Sequence, residues 1–193
     1  AITPIQQYSY SQGKNASDSA LIIDAMDILY TGKVDGFCIV SSDSDFTRLA
    51  TRLREAGMKV IGIGEKKTLN PFITACDKFI YIEILKKGKA AHPENNNKEI
   101  SKNELVNANR PLNKIDPEII GIISDSLDDL ADENGWTYLG DLGSLIIKKK
   151  PDFDPRNYGF PKMSPMIRSI SQFEIDERDT GKKNVKHIYI RKK

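Results

Sequence analysis

The run Phe37-Cys38-Ile39-Val40-Ser41-Ser42-Asp43-Ser44-Asp45-Phe46 decides the fold. Its first four residues are unbroken apolar and rich in β-favouring side chains, the pattern of a strand buried on both faces of a parallel sheet. The chain then turns polar, presents Asp43 and Asp45, and enters a helical pattern from Phe46 to about Glu55 with Phe46, Leu49, Ala50 and Leu53 inward. A strand that passes through polar residues into a helix sets those residues at the carboxyl edge of the sheet, where open α/β folds bind their ligands.

Two carboxylates two residues apart admit two readings. One is capping, in which an Asp accepts a hydrogen bond from a free first-turn N–H and complements the helix dipole. A single Asp suffices for that. A second adds repulsion of roughly 3–4 kcal/mol for unit charges about 5 Å apart at an effective dielectric constant of about 20, unless a cation or solvent offsets it. Hard divalent cations such as Mg²⁺ and Mn²⁺ take oxygen ligands of this kind. The residues alone leave both readings open.

On the N-terminal side, Pro4 to Tyr10 alternates as a short strand and Gln12-Gly13 ends it. A helix follows over about Ala16 to Tyr30, with Asn15 or Ser17 as its cap. Leu21, Ile22, Ala25, Ile28 and Leu29 give it one buried stripe. Asp18 lies in its first turn on the sector of Leu21, Ile22 and Ala25, so it either complements the dipole or points towards the sheet edge. Asp27 reads as a solvated residue and Asp24 is open. Arg48 and Arg52, four apart on an outer face, are either solvated or contact phosphate.

Beyond that helix, Gly57 is a cap and Lys59 to Gly64 a buried strand. Gly62, Gly64, Lys67 and Thr68 do not have the spacing of a phosphate loop. Leu69 to Cys76 predicts a short helix with Pro71 in its first turn, and Phe79 to Leu85 a strand. Strand and helix thus alternate over residues 1–85, which predicts a mostly parallel sheet with flanking helices. Residues 86–114 have few large apolar side chains and no period, and read as a flexible linker; the lone His92 in it implies no chemistry.

Residues 115–193 predict a second, small α+β domain. Pro117 to about Asn134 is a helix capped by Asp116 and ended by Gly135. Trp136 to Leu139 is briefly extended, Asp141 to Lys149 is a second helix and Lys162 to Phe173 a third. Two alternating runs, from Phe173 and from Lys186, flank a turn at 180–183 as a β-hairpin, with His187 on the polar side. Three helices and a hairpin make a winged helix, a fold that often serves nucleic-acid binding. Trp136 is expected in the core, with base stacking by Trp136 and Tyr138 the other reading.

The net charge of +2 hides its distribution. Between Ile115 and Ile147 there are eight acids and no base, and from Lys148 onward 13 bases face six acids, so one end is basic. Cys38 and Cys76 sit in apolar surroundings with neither disulfide nor zinc spacing. No apolar run nears the roughly 18 residues of a membrane span, and no signal pattern opens the chain. The expectation is a cytoplasmic protein without a membrane partner.

Gly-Lys-Asn-Ala-Ser-Asp at 13–18, Ile-Asp-Ala-Met-Asp at 23–27, Ser-Ser-Asp-Ser-Asp-Phe-Thr-Arg-Leu-Ala at 41–50 and Ala-Cys-Asp-Lys-Phe-Ile-Tyr at 75–81 closely resemble the LabA-like branch of the NYN domains. These are PIN-like, mostly parallel α/β proteins regarded as divalent-metal-dependent ribonucleases. Gly-Trp-Thr-Tyr-Leu-Gly-Asp-Leu-Gly at 135–143, Asp-Pro-Arg-Asn-Tyr-Gly at 154–159 and the terminal hairpin resemble a LOTUS (OST-HTH) domain, a winged helix associated with RNA binding. The resemblance implies that Asp18, Asp43 and Asp45 are catalytic and metal-binding, with Asp24 a further metal candidate, and that the cofactor is Mg²⁺ or Mn²⁺. Ser41 and Ser42 would shape the loop. NYN domains begin with a strand ending in a further acidic residue, and this sequence starts at what resembles the second strand. An N-terminally incomplete fold, or a site with one ligand fewer, is therefore expected.

Two functions follow from the resemblance. The first is a metal-dependent endoribonuclease with RNA, single-stranded or structured, held by Arg48, Arg52, Lys148, Lys149, Lys150, Arg156, Lys162 and Arg168. The alternative is a non-catalytic RNA-binding or adaptor protein with the NYN unit as scaffold; a winged-helix DNA regulator is a third reading. Either domain could also meet a second copy or a protein partner.

Overall fold

The structure, a computed structural model, describes residues 3–7, 16–89, 113–179 and 186–193, with side chains to position 85 in the second of these stretches. It divides into two compact units, residues 1–77 and 78–193. Among the described residues no helix is long and apolar enough to cross a membrane.

The first unit is α/β and runs α1 (Ala16–Thr31), β1 (Gly36–Val40), α2 (Thr47–Glu55), β2 (Lys59–Gly64) and α3 (Asn70–Ala75). β1 and β2 are parallel, in register from Gly36 with Lys59 to Val40 with Ile63, and α2 is the crossover that such a pair requires. Gly36 is dictated by this pairing, since a Cβ there would stand 2.5 Å from the Lys59 carbonyl oxygen. α2 buries Leu49, Ala50 and Leu53 as its spacing predicts, with Phe46 buried just before it, and Gly57 turns the chain at φ 83°. Burial pushes the Cys76 thiol up to about 11, so this side chain packs as a small neutral group.

Three expectations for this unit change. Residues 3–7 form no strand and are exposed; the rest of that predicted strand, and Asn15, lie outside the described residues. α1 forms, yet buries none of its residues, and Leu21, Ile22 and Ile28 stay exposed. β1 is buried only at Ile39, with Cys38 exposed and Val40 63 % exposed. The cause is common to the last two. A helical stripe or a strand face is buried only where a second surface packs on it, whereas α1 and β1 line a cleft of about 400 Å³ between Leu21, Ala25, Ile28, Phe37, Ile39 and Leu49.

Asp77 fastens the end of the first unit to β2. Its Oδ2 accepts from the Val60 N–H at 2.8 Å and its own N–H donates to the Val60 carbonyl at 2.9 Å. Its Oδ1 faces Arg54 Nε at 3.4 Å and Lys59 Nζ at 3.6 Å. Asp77→Ala leaves a strand N–H without its acceptor and two cations without their partner, so it is expected to cost about 2 kcal/mol in denaturant unfolding. Asp77→Asn, which keeps an acceptor, should cost less.

The second unit opens with β3 (Lys78–Tyr81) and α4 (Ile82–Lys89) and continues with α5 (Pro117–Leu130), β4 (Thr137–Tyr138), α6 (Leu139–Lys149), α7 (Met163–Arg168), β5 (Phe173–Asp179) and β6 (Lys186–Lys192). The strand expected over residues 79–85 therefore stops at Tyr81, and a helix begins where the linker was expected soon to start. Ile82-Glu83-Ile84-Leu85 satisfies the strand period, but Ile82 and Leu85 are also one helical turn apart and Glu83 complements the helix dipole.

Asp116 caps α5, its Oδ1 accepting from the Ile119 N–H at 3.0 Å. α5 ends at Leu130 rather than near Asn134. Asp132 explains this: its Oδ1 accepts from the N–H groups of Asn134 at 2.9 Å and Trp136 at 2.8 Å, a local turn that competes with helix. α7 is likewise shorter than the predicted 162–173 helix, because Ser169 caps it and Phe173 is drawn into the sheet opposite Lys192.

The hairpin forms as expected, antiparallel in the order β4-β6-β5, with its turn outside the described residues. Its inner face packs with α5, α6 and α7 around Ile123, Leu142, Ile146, Met166, Ile167 and Ile190.

Candidate functional site

The loop after β1 is braced from three sides. The Ser41 N–H donates to the Ile63 carbonyl at 2.9 Å, and Ser41 Oγ accepts from the Asp43 N–H at 3.1 Å. Ser42 Oγ accepts from the Glu65 N–H at 2.9 Å, tying the loop to the end of β2. Asp43 Oδ1 accepts from the Asp45 N–H at 3.0 Å and caps a short 3-10 helix, Ser44–Phe46, that leads into α2. Capping is thus realised, and by Asp43. One Oδ1 suffices for it, and both carboxylates are exposed at the carboxyl edge of β1. The serines hold the loop as expected.

Asp18 is in the first turn of α1, within 3.4 Å of Ser17 Oγ, and Asp24 lines the cleft between α1 and β1. Among the described residues no three His, Cys, Asp or Glu side chains form a group that could hold a metal ion, so Asp18 does not join Asp43 and Asp45 in one.

Most of the basic residues expected to meet phosphate already have acidic neighbours. Arg48 lies 3.9 Å from Glu55. Lys149 pairs with Asp129 at 2.7 Å, Lys150 with Glu118 at 3.2 Å, and Arg168 with Glu177. Arg52, Lys148 and Lys162 are exposed.

Arg156 is held most firmly. Its Nε and Nη2 donate to Asp154 at 2.9 and 2.6 Å, and its N–H also donates to Asp154 Oδ1. With Asn157 buried and donating from Nδ2 to the Asp152 carbonyl, and Gly159 turning at φ 86°, the Asp-Pro-Arg-Asn-Tyr-Gly run is a self-bonded loop that seats Phe153 and Tyr158 in the core.

The outer face of the hairpin gathers residues that the sequence reading left apart. Trp136 is not in the core. The guanidinium of Arg191 lies 4.6 Å from its ring centroid, and that of Arg178 lies 5.4 Å from it and 4.0 Å from the Tyr189 ring. Tyr138 contacts His187 and Tyr189, with ring centroids 5.1 and 5.8 Å apart.

Residues 1–83 match the family model of the NYN domain, and residues 110–185 match that of the OST-HTH/LOTUS domain. The chain carries an NYN domain followed by an OST-HTH/LOTUS domain. Among solved structures it is similar to an uncharacterized protein of Nitrosomonas europaea (26 % identity over 53 % of this chain and 92 % of that one, TM-score 0.37). It is also similar to residues 175–257 of a Chromobacterium violaceum protein (27 % identity over 42 % and 86 %, TM-score 0.33). No curated protein matches the chain.

In the NYN domain the Asp43–Asp45 pair has the oxygen chemistry of a hard divalent cation. Magnesium is commonly held by one or two carboxylates together with substrate phosphates, and two exposed carboxylates fit that open mode rather than a closed cage of protein ligands.

In the OST-HTH/LOTUS domain, Asp154 sets a pH dependence. Burial works to raise its pKa, and the hydrogen bonds from the Arg156 side chain and N–H outweigh it, so the carboxyl lies below its ordinary value. A lowered folded-state pKa contributes stability above the unfolded value of about 3.9 and loses it as pH falls through the folded one. Asp154→Asn should therefore be less stable than the parent at pH 7 by about 1–2 kcal/mol. The gap should narrow as pH falls below about 4, as thermal melts across pH would record.

Proposed function

We propose that this protein binds RNA through its OST-HTH/LOTUS domain and cleaves it as an endoribonuclease at the Asp43–Asp45 end of the NYN domain, with Mg²⁺ or Mn²⁺ as cofactor. The observation that carries the reading is the placement of two exposed carboxylates at the carboxyl edge of a parallel strand, in a loop whose Ser41 and Asp43 bond its own backbone and whose Ser42 ties it to Glu65 at the end of β2. Asp43 and Asp45 would hold the ion, which when bound supplies charge stabilisation and an activated water. The rest is positioning. Ser41 and Ser42 fix the loop against β2, so the carboxylates are set before RNA arrives, and Arg52, Lys148 and Lys162 are exposed cations that can meet phosphates.

The test is cleavage of a labelled single-stranded RNA by the full chain in Mn²⁺ and in EDTA, with binding followed by anisotropy. Cleavage in Mn²⁺ only, with RNA bound in both, is expected. RNA bound but uncut in Mn²⁺ would sink the nuclease assignment and leave an RNA-binding adaptor.

A further inference from the structure

We infer that the outer face of the β4-β6-β5 sheet is a stacking platform for unpaired bases of single-stranded RNA, with Arg178, Arg191, Trp136, Tyr138 and Tyr189 as its contact residues. The inference rests on the RNA-binding reading above and names the surface and the form of RNA it takes.

Strand alternation builds the face. Thr137 and Ile190 are opposed in the register and both buried, so Tyr138 and Tyr189, opposed one step on, point the other way. The same alternation brings His187 and Arg191 of β6, and Glu174, Asp176 and Arg178 of β5, onto that side. Ordinary outward faces of small sheets carry scattered polar residues. Here two guanidiniums lie over two aromatic rings, and Tyr138 stands beside them 38 % exposed.

Carboxylates fix the guanidiniums. Asp176 accepts from Arg178 Nε at 2.9 Å and Glu174 from Arg191 Nε at 2.8 Å, while each arginine side chain remains more than two-fifths exposed. The charges of these two pairs cancel, so the face offers planar π surfaces rather than a strong field. Aromatic rings and guanidinium planes are the groups on which splayed-out bases stack, and every base has a π-face to offer. Over residues 115–193 as a whole 13 bases meet 14 acids, so base stacking rather than net charge is what selects the ligand on this face.

Trp136 is the single tryptophan of the chain and so reports on this face alone. Titration of the full chain with an oligopyrimidine RNA should quench Trp136 emission with the midpoint of the anisotropy change, and an abasic strand of equal length should not. Arg178→Lys with Arg191→Lys keeps the charge and removes the planar forks, and is expected to weaken RNA binding about tenfold, the effect of one stacked base. Tyr138→Leu, which leaves both arginines in place, should lower affinity several-fold and serves as the second variant if the arginine pair disturbs the hairpin.

RNA bound with Trp136 unquenched and both variants binding as the parent would overturn the platform while leaving RNA binding intact. Equal quenching by the abasic strand would overturn base stacking. Failure of the parent to bind any RNA would overturn the RNA-binding reading itself.

Discussion

The Asp43→Asn, Asp45→Asn double variant should lose about a hundredfold or more of its cleavage rate on single-stranded RNA and bind that RNA as tightly as the parent. Asn keeps the side-chain oxygen with which Asp43 accepts from the Asp45 N–H, so the cap on the 3-10 turn survives and the loop keeps its course. What disappears is two negative charges at one strand end, and with them the affinity of a hard cation for the site.

A small rise in unfolding midpoint is the expected accompaniment, because the mutual repulsion of neighbouring carboxylates is relieved. Single-turnover cleavage in Mn²⁺, RNA anisotropy and a denaturant melt on the same preparations separate these effects. Cleavage at the parent rate would remove Asp43 and Asp45 from the chemistry. Loss of RNA binding along with cleavage would mean that the pair holds RNA rather than acts on it. Asp18→Asn, a substitution outside the pair, should reduce the rate less than the double variant does.

What the sequence conveyed well were the features governed by short-range rules. Phe46, Leu49, Ala50 and Leu53 are buried where helical spacing puts them, Asp116 caps α5, and the alternating runs pair as a hairpin. Features that depend on a second surface were not legible. Nothing in the stripe Leu21, Ile22, Ala25, Ile28 says whether anything packs on it, and here Leu21, Ala25 and Ile28 border a cleft.

Ile82-Glu83-Ile84-Leu85 fits both periods, and only its surroundings choose helix. At the site, the pair Asp43 and Asp45 was visible because its two members are close in sequence. The stacking of Arg178 and Arg191 over Trp136 joins residues more than forty positions apart through strand register, which no local pattern encodes. The signal that could have found it was the hairpin itself. Once β5 and β6 are read as alternating, Arg178, Tyr189 and Arg191 fall on the outward side, and only the strand at Trp136 to Tyr138 remains to be laid beside them.

Ile146→Ala is expected to destabilise the OST-HTH/LOTUS domain by about 3 kcal/mol, within the usual range for emptying a buried Ile site. Ile146 is fully buried on α6 in a core that also holds Ile123, Leu142, Met166, Ile167 and Ile190, all helix or strand residues with little freedom to close a void. For a domain of this size about 1 kcal/mol moves the melting midpoint by roughly 4–8 °C, so a fall of roughly 12–24 °C should be seen by calorimetry. Ile146→Val should cost only about 1 kcal/mol.

The core side of the sheet supports the outer side. Ile190, buried below, is flanked along β6 by Tyr189 and Arg191 above, so the platform persists only while that core is closed. At temperatures well below the lowered midpoint, Ile146→Ala should bind RNA as the parent does; near the midpoint, affinity should fall in step with the folded fraction. A loss of affinity at low temperature, where the domain is still folded, would mean that RNA reads the packing of α6 directly, and would place the contact on the helices rather than on the sheet.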